Sequence, residues 1–164
     1  MTALRALSAS FFLSIPFIAE ASWTTVVRDD LFSDGKSAML YGEVDRSHSL
    51  VFDCDSEELK MSLLEVGTWH EGMTGTVGKF VVKVDDLEKR VYDVSFYKRN
   101  EQQVAVGTSD EAIKNTLREI KAAKSKVLVG LAIPAIDSRW NSSADAIGST
   151  TSVEKFTKAC NIQL

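Results

Sequence analysis

From residue 23 to residue 107 the sequence is dominated by stretches that alternate in polarity with a period of two, and such stretches bury their apolar side chains only as strands with one covered face. Residues 23–28, 37–44 and 49–54 are short, β-branched or apolar runs, the last two separated by the polar turn Asp45-Arg46-Ser47. Leu59, Met61 and Leu63 alternate with Lys60, Ser62 and Leu64. Phe80, Val82 and Val84 repeat the pattern within 77–84, and Tyr92, Val94 and Phe96 oppose Asp93, Ser95 and Tyr97 within 90–98. A short run at 103–107 completes the series. Gly67, Gly72, Gly75 and Gly78 punctuate the chain before one strand, and Asp85-Asp86 follows it.

The period then changes to that of a helix. Ser109 is placed as an N-cap with Asp110 and Glu111 in the first turn, and Ile113, Leu117, Ile120 and Lys124 recur on one face bordered by Lys114, Arg118 and Lys121. Residues 126–133 return to strand character until Pro134. A shorter helix is expected from Thr150 or Thr151 to about Cys160, turning Val153, Phe156 and Ala159 or Cys160 inward. The polar segment 135–149 reads as an exposed loop. This order predicts an α+β fold: an antiparallel sheet or half-barrel with one longer helix and a short C-terminal helix packed on one side.

The first 21 residues read as a secretory signal peptide. Arg5 precedes an uncharged apolar stretch from Ala6 to Ala19, and Ala19-Glu20-Ala21 has the small-x-small form of a cleavage site. A membrane anchor needs about 20 apolar residues, and Pro16 and Glu20 interrupt a run that is already short. The expected product is one domain, residues 22–164, in the periplasm or secreted, with no membrane span after cleavage. Losing residues 1–21 removes Arg5 and Glu20, one charge of each sign, so the net charge stays at −4. Nucleic acids and anionic lipids call for clustered positive charge, and no such cluster is present in the sequence.

An oxidising compartment gives the two cysteines their meaning. Cys54 and Cys160 can form only one intramolecular bridge, and without a Cys-x-x-Cys pair a structural disulfide is favoured over a redox site.

The leader, the early Trp23, the strand Leu50-Val51-Phe52-Asp53-Cys54 and the closing segment from Gly148 through Ser152-Val153-Glu154-Lys155-Phe156 to Cys160 resemble small bacterial periplasmic proteins, the invasion-associated locus B family and the VasI family associated with type VI secretion. That resemblance implies an envelope protein that acts by binding another protein, with no cofactor and no catalytic residues to carry over.

The motif search agrees with a non-enzymatic role. His48 and His70 sit in no Gly-x-Ser-x-Gly or His-Glu-x-x-His motif. Asp53, Asp55, Glu57 and Glu58 offer oxygen ligands around Cys54 but lack the spacing of a calcium loop, so no metal is expected. Two clusters stand out as candidate binding residues. Trp69, His70 and Glu71 lie in a glycine-flanked loop, and Arg139 with Trp140 combines the two residue types that dominate protein-recognition hot spots. A partner in the cell envelope, a secreted protein or a hydrolase to be inhibited, is the expected ligand. The alternative is a small hydrolase of cell-wall or glycan substrates with its acids among Glu71, Asp85, Asp86 and Asp93.

Overall fold

A computed structural model describes residues 21–29, 35–55, 58–109 and 111–164. Residues 1–20 of the leader, Glu57 and Asp110 lie outside the described residues. Among the described residues nine strands form a single antiparallel sheet: β1 (Trp23–Asp29), β2 (Lys36–Glu43), β3 (His48–Cys54), β4 (Leu59–Val66), β5 (Val77–Val84), β6 (Arg90–Asn100), β7 (Gln103–Thr108), β8 (Lys126–Ile133) and β9 (Ser138–Asp145). Helix α1 (Ile113–Ala122) joins β7 to β8, and α2 (Ser149–Ala159) follows β9. The order across the sheet is β1-β2-β3-β4-β7-β6-β5-β8-β9. The sheet curls into a half-barrel with the helices on its inner side, the α+β arrangement that the sequence pattern predicts. The C-terminal helix is not the short one, however: α2 has 11 residues and α1 has 10, because α2 starts at Ser149 rather than at Thr150 or Thr151 and α1 starts only at Ile113.

Alternation along each strand explains the core. Trp23 and Thr25, Leu40, Leu50 and Phe52, Met61 and Leu63, Val106, Phe80 and Val82, and Val127 and Val129 all face inward and are buried. They meet Ile113, Leu117 and Ile120 of α1 and Val153 and Phe156 of α2 in one continuous cluster. The two helices are tied by Thr150 Oγ1 donating to the Lys121 carbonyl at 2.8 Å and by the Lys121–Glu154 ion pair. Tyr92 Oη and Thr116 Oγ1 share a hydrogen bond between β6 and α1, and Arg90 clasps Glu119 beside it. Cys54, at the end of β3, is joined to Cys160 at the C-cap of α2, with Cα atoms 6.2 Å apart.

Three further readings of the sequence are corrected. The segment expected as a polar loop, 135–149, contains β9, paired along its whole length with β8. Its inward positions are Ser138, Trp140, Ser142 and Ala144, so it has strand alternation without apolar alternation. Helix α1 begins at Ile113, and its N-cap is Ala112 with no side-chain cap. Ser109, placed in the sequence as the cap, instead directs its hydroxyl to Glu58. Ser62 and Leu64, expected on the exposed face of β4, are buried, because Val51, Leu64 and Ala105 form a second, smaller cluster on the outer face under Met39, Tyr41 and Tyr97.

Candidate functional site

The connections divide between two ends of the half-barrel. One end holds the helices and the β5–β6 turn. The other carries the turn 45–47, the loop 67–76, the hairpin tip 101–102 and the turn 134–137. The loop 67–76 has to pass the β6–β7 hairpin, because β7 and β6 lie between β4 and β5 in the sheet; three strand spacings are about 14 Å. It is stitched to its neighbours by Gly67 N–H donating to the Gln102 carbonyl and Phe96 N–H donating to the Thr76 carbonyl, while Val66 N–H donates to the Ser47 carbonyl.

Strand β9 crosses the ends of β1–β3 without joining them in the sheet. Trp23 Nε1 donates to the Asp145 carbonyl at 2.6 Å, Ser142 Oγ donates to the Val44 carbonyl at 3.4 Å, and the Trp140 and His48 rings pack with centroids 4.2 Å apart. His48 is oriented by Asp45: Nδ1 donates to the carboxylate at 2.9 Å, and the same carboxylate accepts the backbone N–H groups of Ser47 and His48. Partial desolvation pushes the Asp45 carboxyl up, but the Ser47 N–H and the His48 side chain outweigh it and hold the group below its ordinary value.

Between these elements the interior of the half-barrel opens as a cleft of about 240 Å³. Its walls are Leu63, Phe96, Val106, Leu131 and Ile133, closed on one side by the Trp140–His48 pair, with Glu65 as its acidic member. Around this end Val66, Val77 and Ile136 are 64%, 63% and 71% exposed. Such a mouth is suited to receiving an apolar or amphipathic group.

The candidate residues are distributed unequally. Trp140 lines the cleft. Arg139 does not, since alternation along β9 sends it to the opposite face, so the two do not form one hot spot. Trp69 is half-buried, and His70 and Glu71 are exposed, the latter starting a short 3₁₀ turn at the same end of the half-barrel. His48, Glu65 and Phe96 line the cleft but were not singled out in the sequence; the turn Asp45-Arg46-Ser47 before His48 was the one available signal for the first.

The four acids of the hydrolase reading do not converge. Glu71 lies at the loop end and Asp85 and Asp86 at the helix end, while Asp93 is paired with Lys79 on the outer face. Asp85 serves the fold instead. At φ 45° its carboxylate accepts the backbone N–H groups of Lys124, Ser125 and Lys126 at 2.8, 3.0 and 2.9 Å.

A second cleft of about 450 Å³ lies on the outer face and mixes charges of both signs. Arg99 clasps Asp53 with two hydrogen bonds of 2.8 and 2.7 Å, and Lys60 pairs with Glu58 at 2.8 Å. Asp53 and Glu58 therefore face cations of the protein itself, and Asp55 Oδ1 accepts the Glu58 backbone N–H. Among the described residues no three His, Cys, Asp or Glu side chains form a metal-ligating group, and no helix is long and apolar enough to cross a membrane.

Compared with known proteins, the chain matches no family model, no curated protein and no solved structure.

Proposed function

We propose that this protein is an exported, disulfide-bridged binding protein that recognises another envelope or secreted protein with the loop-bearing end of its half-barrel. The observation that carries this reading is the concentration at that end of an aromatic-walled cleft, three strongly exposed aliphatic side chains and the Trp69-His70-Glu71 loop. Exposed apolar groups around a concave, partly polar opening are the features of a recognition surface. The leader sequence and the Cys54–Cys160 bridge support an oxidising compartment, and the resemblance of the termini to periplasmic proteins of the locus B and VasI type supports an envelope role linked to secretion or inhibition. Among the described residues the opposite end is occupied by helices and their connections, which favours the loop end as the face offered to a partner.

The test is affinity capture with the oxidised protein, residues 22–164, from envelope extract, followed by mass spectrometry. One partner retained near stoichiometry, and lost with Trp140→Ala in a protein that still folds, is the expected result. Retention unchanged by Trp140→Ala and by replacement of Trp69, His70 and Glu71 with alanine would remove the loop end as the binding face.

A further inference from the structure

We infer that the cleft at the open end receives a cationic side chain, a lysine or arginine presented by the partner protein. This inference rests on the partner-binding reading and adds the chemistry of the anchor. Three features of the cleft argue for it.

The first is its aromatic wall. Trp140, Phe96 and His48 line one small space, and an ammonium or guanidinium group close to a tryptophan face is attracted by the ring quadrupole.

The second is charge. Glu65 faces the interior two residues beyond Leu63 on β4 and lines the same cleft. It is exposed and has no ion-pair partner among the described residues; its cross-strand neighbour is His48, whose Nδ1 is directed to Asp45, and no lysine or arginine lines the cleft. The cleft therefore offers a free carboxylate and no free lysine, which favours a cation over an anion.

The third is shape. Below Glu65 the wall is aliphatic, made by Leu63, Val106 and Leu131, and the methylene stem of a lysine or arginine lies favourably along such a surface while its head stays at the wetter rim. A space of about 240 Å³ is smaller than the usual range for whole small-molecule ligands, about 300–1,000 Å³. One inserted side chain suits it better.

The experiment is an NMR titration of the oxidised protein with n-butylammonium, with neutral 1-pentanol and anionic pentanoate as near-isosteres, and with acetyl-Gly-Lys-Gly-amide as the peptide arm. The readout is the Trp140 indole N–H signal, assigned with Trp140→Phe. Butylammonium and the lysine peptide are expected to shift this signal saturably with millimolar Kd. Pentanol and pentanoate should bind about tenfold more weakly, and Glu65→Gln should abolish the difference between cation and alcohol. Equal binding of pentanol and butylammonium, an unchanged cation preference in Glu65→Gln, a peptide that leaves the signal in place, or no shift with any probe would overturn the inference. Partner capture that survives Glu65→Gln but is lost with Trp140→Ala would overturn the cationic anchor and leave the partner-binding reading standing; capture indifferent to both would reject the cationic anchor and the cleft as its site.

Discussion

The rings of Trp140 and His48 pack with centroids 4.2 Å apart and planes tilted by 33°, which joins β9 to the first residue of β3 across a gap that no backbone ladder spans. The contact closes the curl of the sheet and walls the interior cleft at once. Asp45 holds the imidazole in place from the turn below, so the pair is supported from the β2–β3 connection on one side and from the β8–β9 ladder on the other.

That double role separates two neighbours in the sequence. Trp140→Ala is expected to weaken partner retention by about 2 kcal/mol or more, the scale of a hot-spot aromatic, whereas Arg139→Ala on the opposite face should change it by less than about 1 kcal/mol. Titration of the captured partner against both variants reads the difference, and a urea melt of Trp140→Ala checks that the half-barrel remains folded. Equal losses from the two variants would contradict the alternation on which the site is built.

At Gly42 the constraint is steric. A Cβ there would lie 2.7 Å from the indole of Trp23, which is buried over it and bonded to the Asp145 carbonyl. Gly42→Ala should therefore destabilise the protein by about 1–3 kcal/mol, the usual cost of overpacking. Because the strain lies between two side chains, its cost should fall in a Trp23→Leu background, a coupling that chemical denaturation of the four proteins would measure.

Residues whose partners are already fixed by the strand face they occupy were readable from sequence. Met61, Leu63, Phe80, Val82, Tyr92 and Val94 alternate because one face of the sheet meets the helices, and the stripe Ile113, Leu117, Ile120 marks α1 for the same reason. Strand β9 was hidden because it covers the ends of β1–β3 rather than the deep core, so small polar residues serve inward as well as outward; the information for its pairing resides in β8. Leu64 was misplaced because the outer face acquires its own cover from Tyr97, whose hydroxyl hydrogen-bonds Ser62. At the site, Trp69 and Trp140 were visible as exposed-segment tryptophans. The partnership of Trp140 with His48 was not, since it depends on how far the sheet curls.

Acidification should reveal the role of Asp85. The backbone N–H groups of Lys126 and Lys124, with that of Ser125, hold its carboxyl below the ordinary value of 3.8. A carboxyl depressed in the folded state adds stability at pH values above its unfolded value, and that contribution is lost as pH falls through the folded one. Wild type should therefore exceed Asp85→Asn in stability at neutral pH, and the gap should narrow below about pH 4. Thermal melts of both proteins from neutral to acid pH check this, and a gap that stays constant would mean the carboxylate charge is not what holds the 124–126 turn.

Ser149 supplies a prediction of the opposite sign. Its hydroxyl is buried at the start of α2 with no hydrogen-bond partner among the described residues, so it carries a desolvation cost with no return. Ser149→Ala should leave stability unchanged or raise it by up to about 1 kcal/mol, as measured by the urea midpoint. A clear loss would mean that the hydroxyl is satisfied by solvent.

The Cys54–Cys160 bridge closes a loop with a sequence separation of 106, and in the chain-entropy account a loop of that size stabilises the folded state by about 4–5 kcal/mol by restricting the unfolded chain. Helix α2 is also held on β1 by Ser152 Oγ donating to the Trp23 carbonyl, Thr25 Oγ1 donating to the Ser152 carbonyl and Lys155 Nζ donating to the Thr25 carbonyl, while Phe156 and Val153 are fully buried beneath it. Paired replacement of both cysteines by alanine should accordingly leave the far-UV spectrum unchanged in the absence of denaturant and shift the urea midpoint sharply downward. A difference below about 1 kcal/mol would show that the unfolded chain is already restricted without the bridge. Loss of the native spectrum would show instead that α2 needs the covalent tie to dock at all, and that an oxidising compartment is a condition for folding.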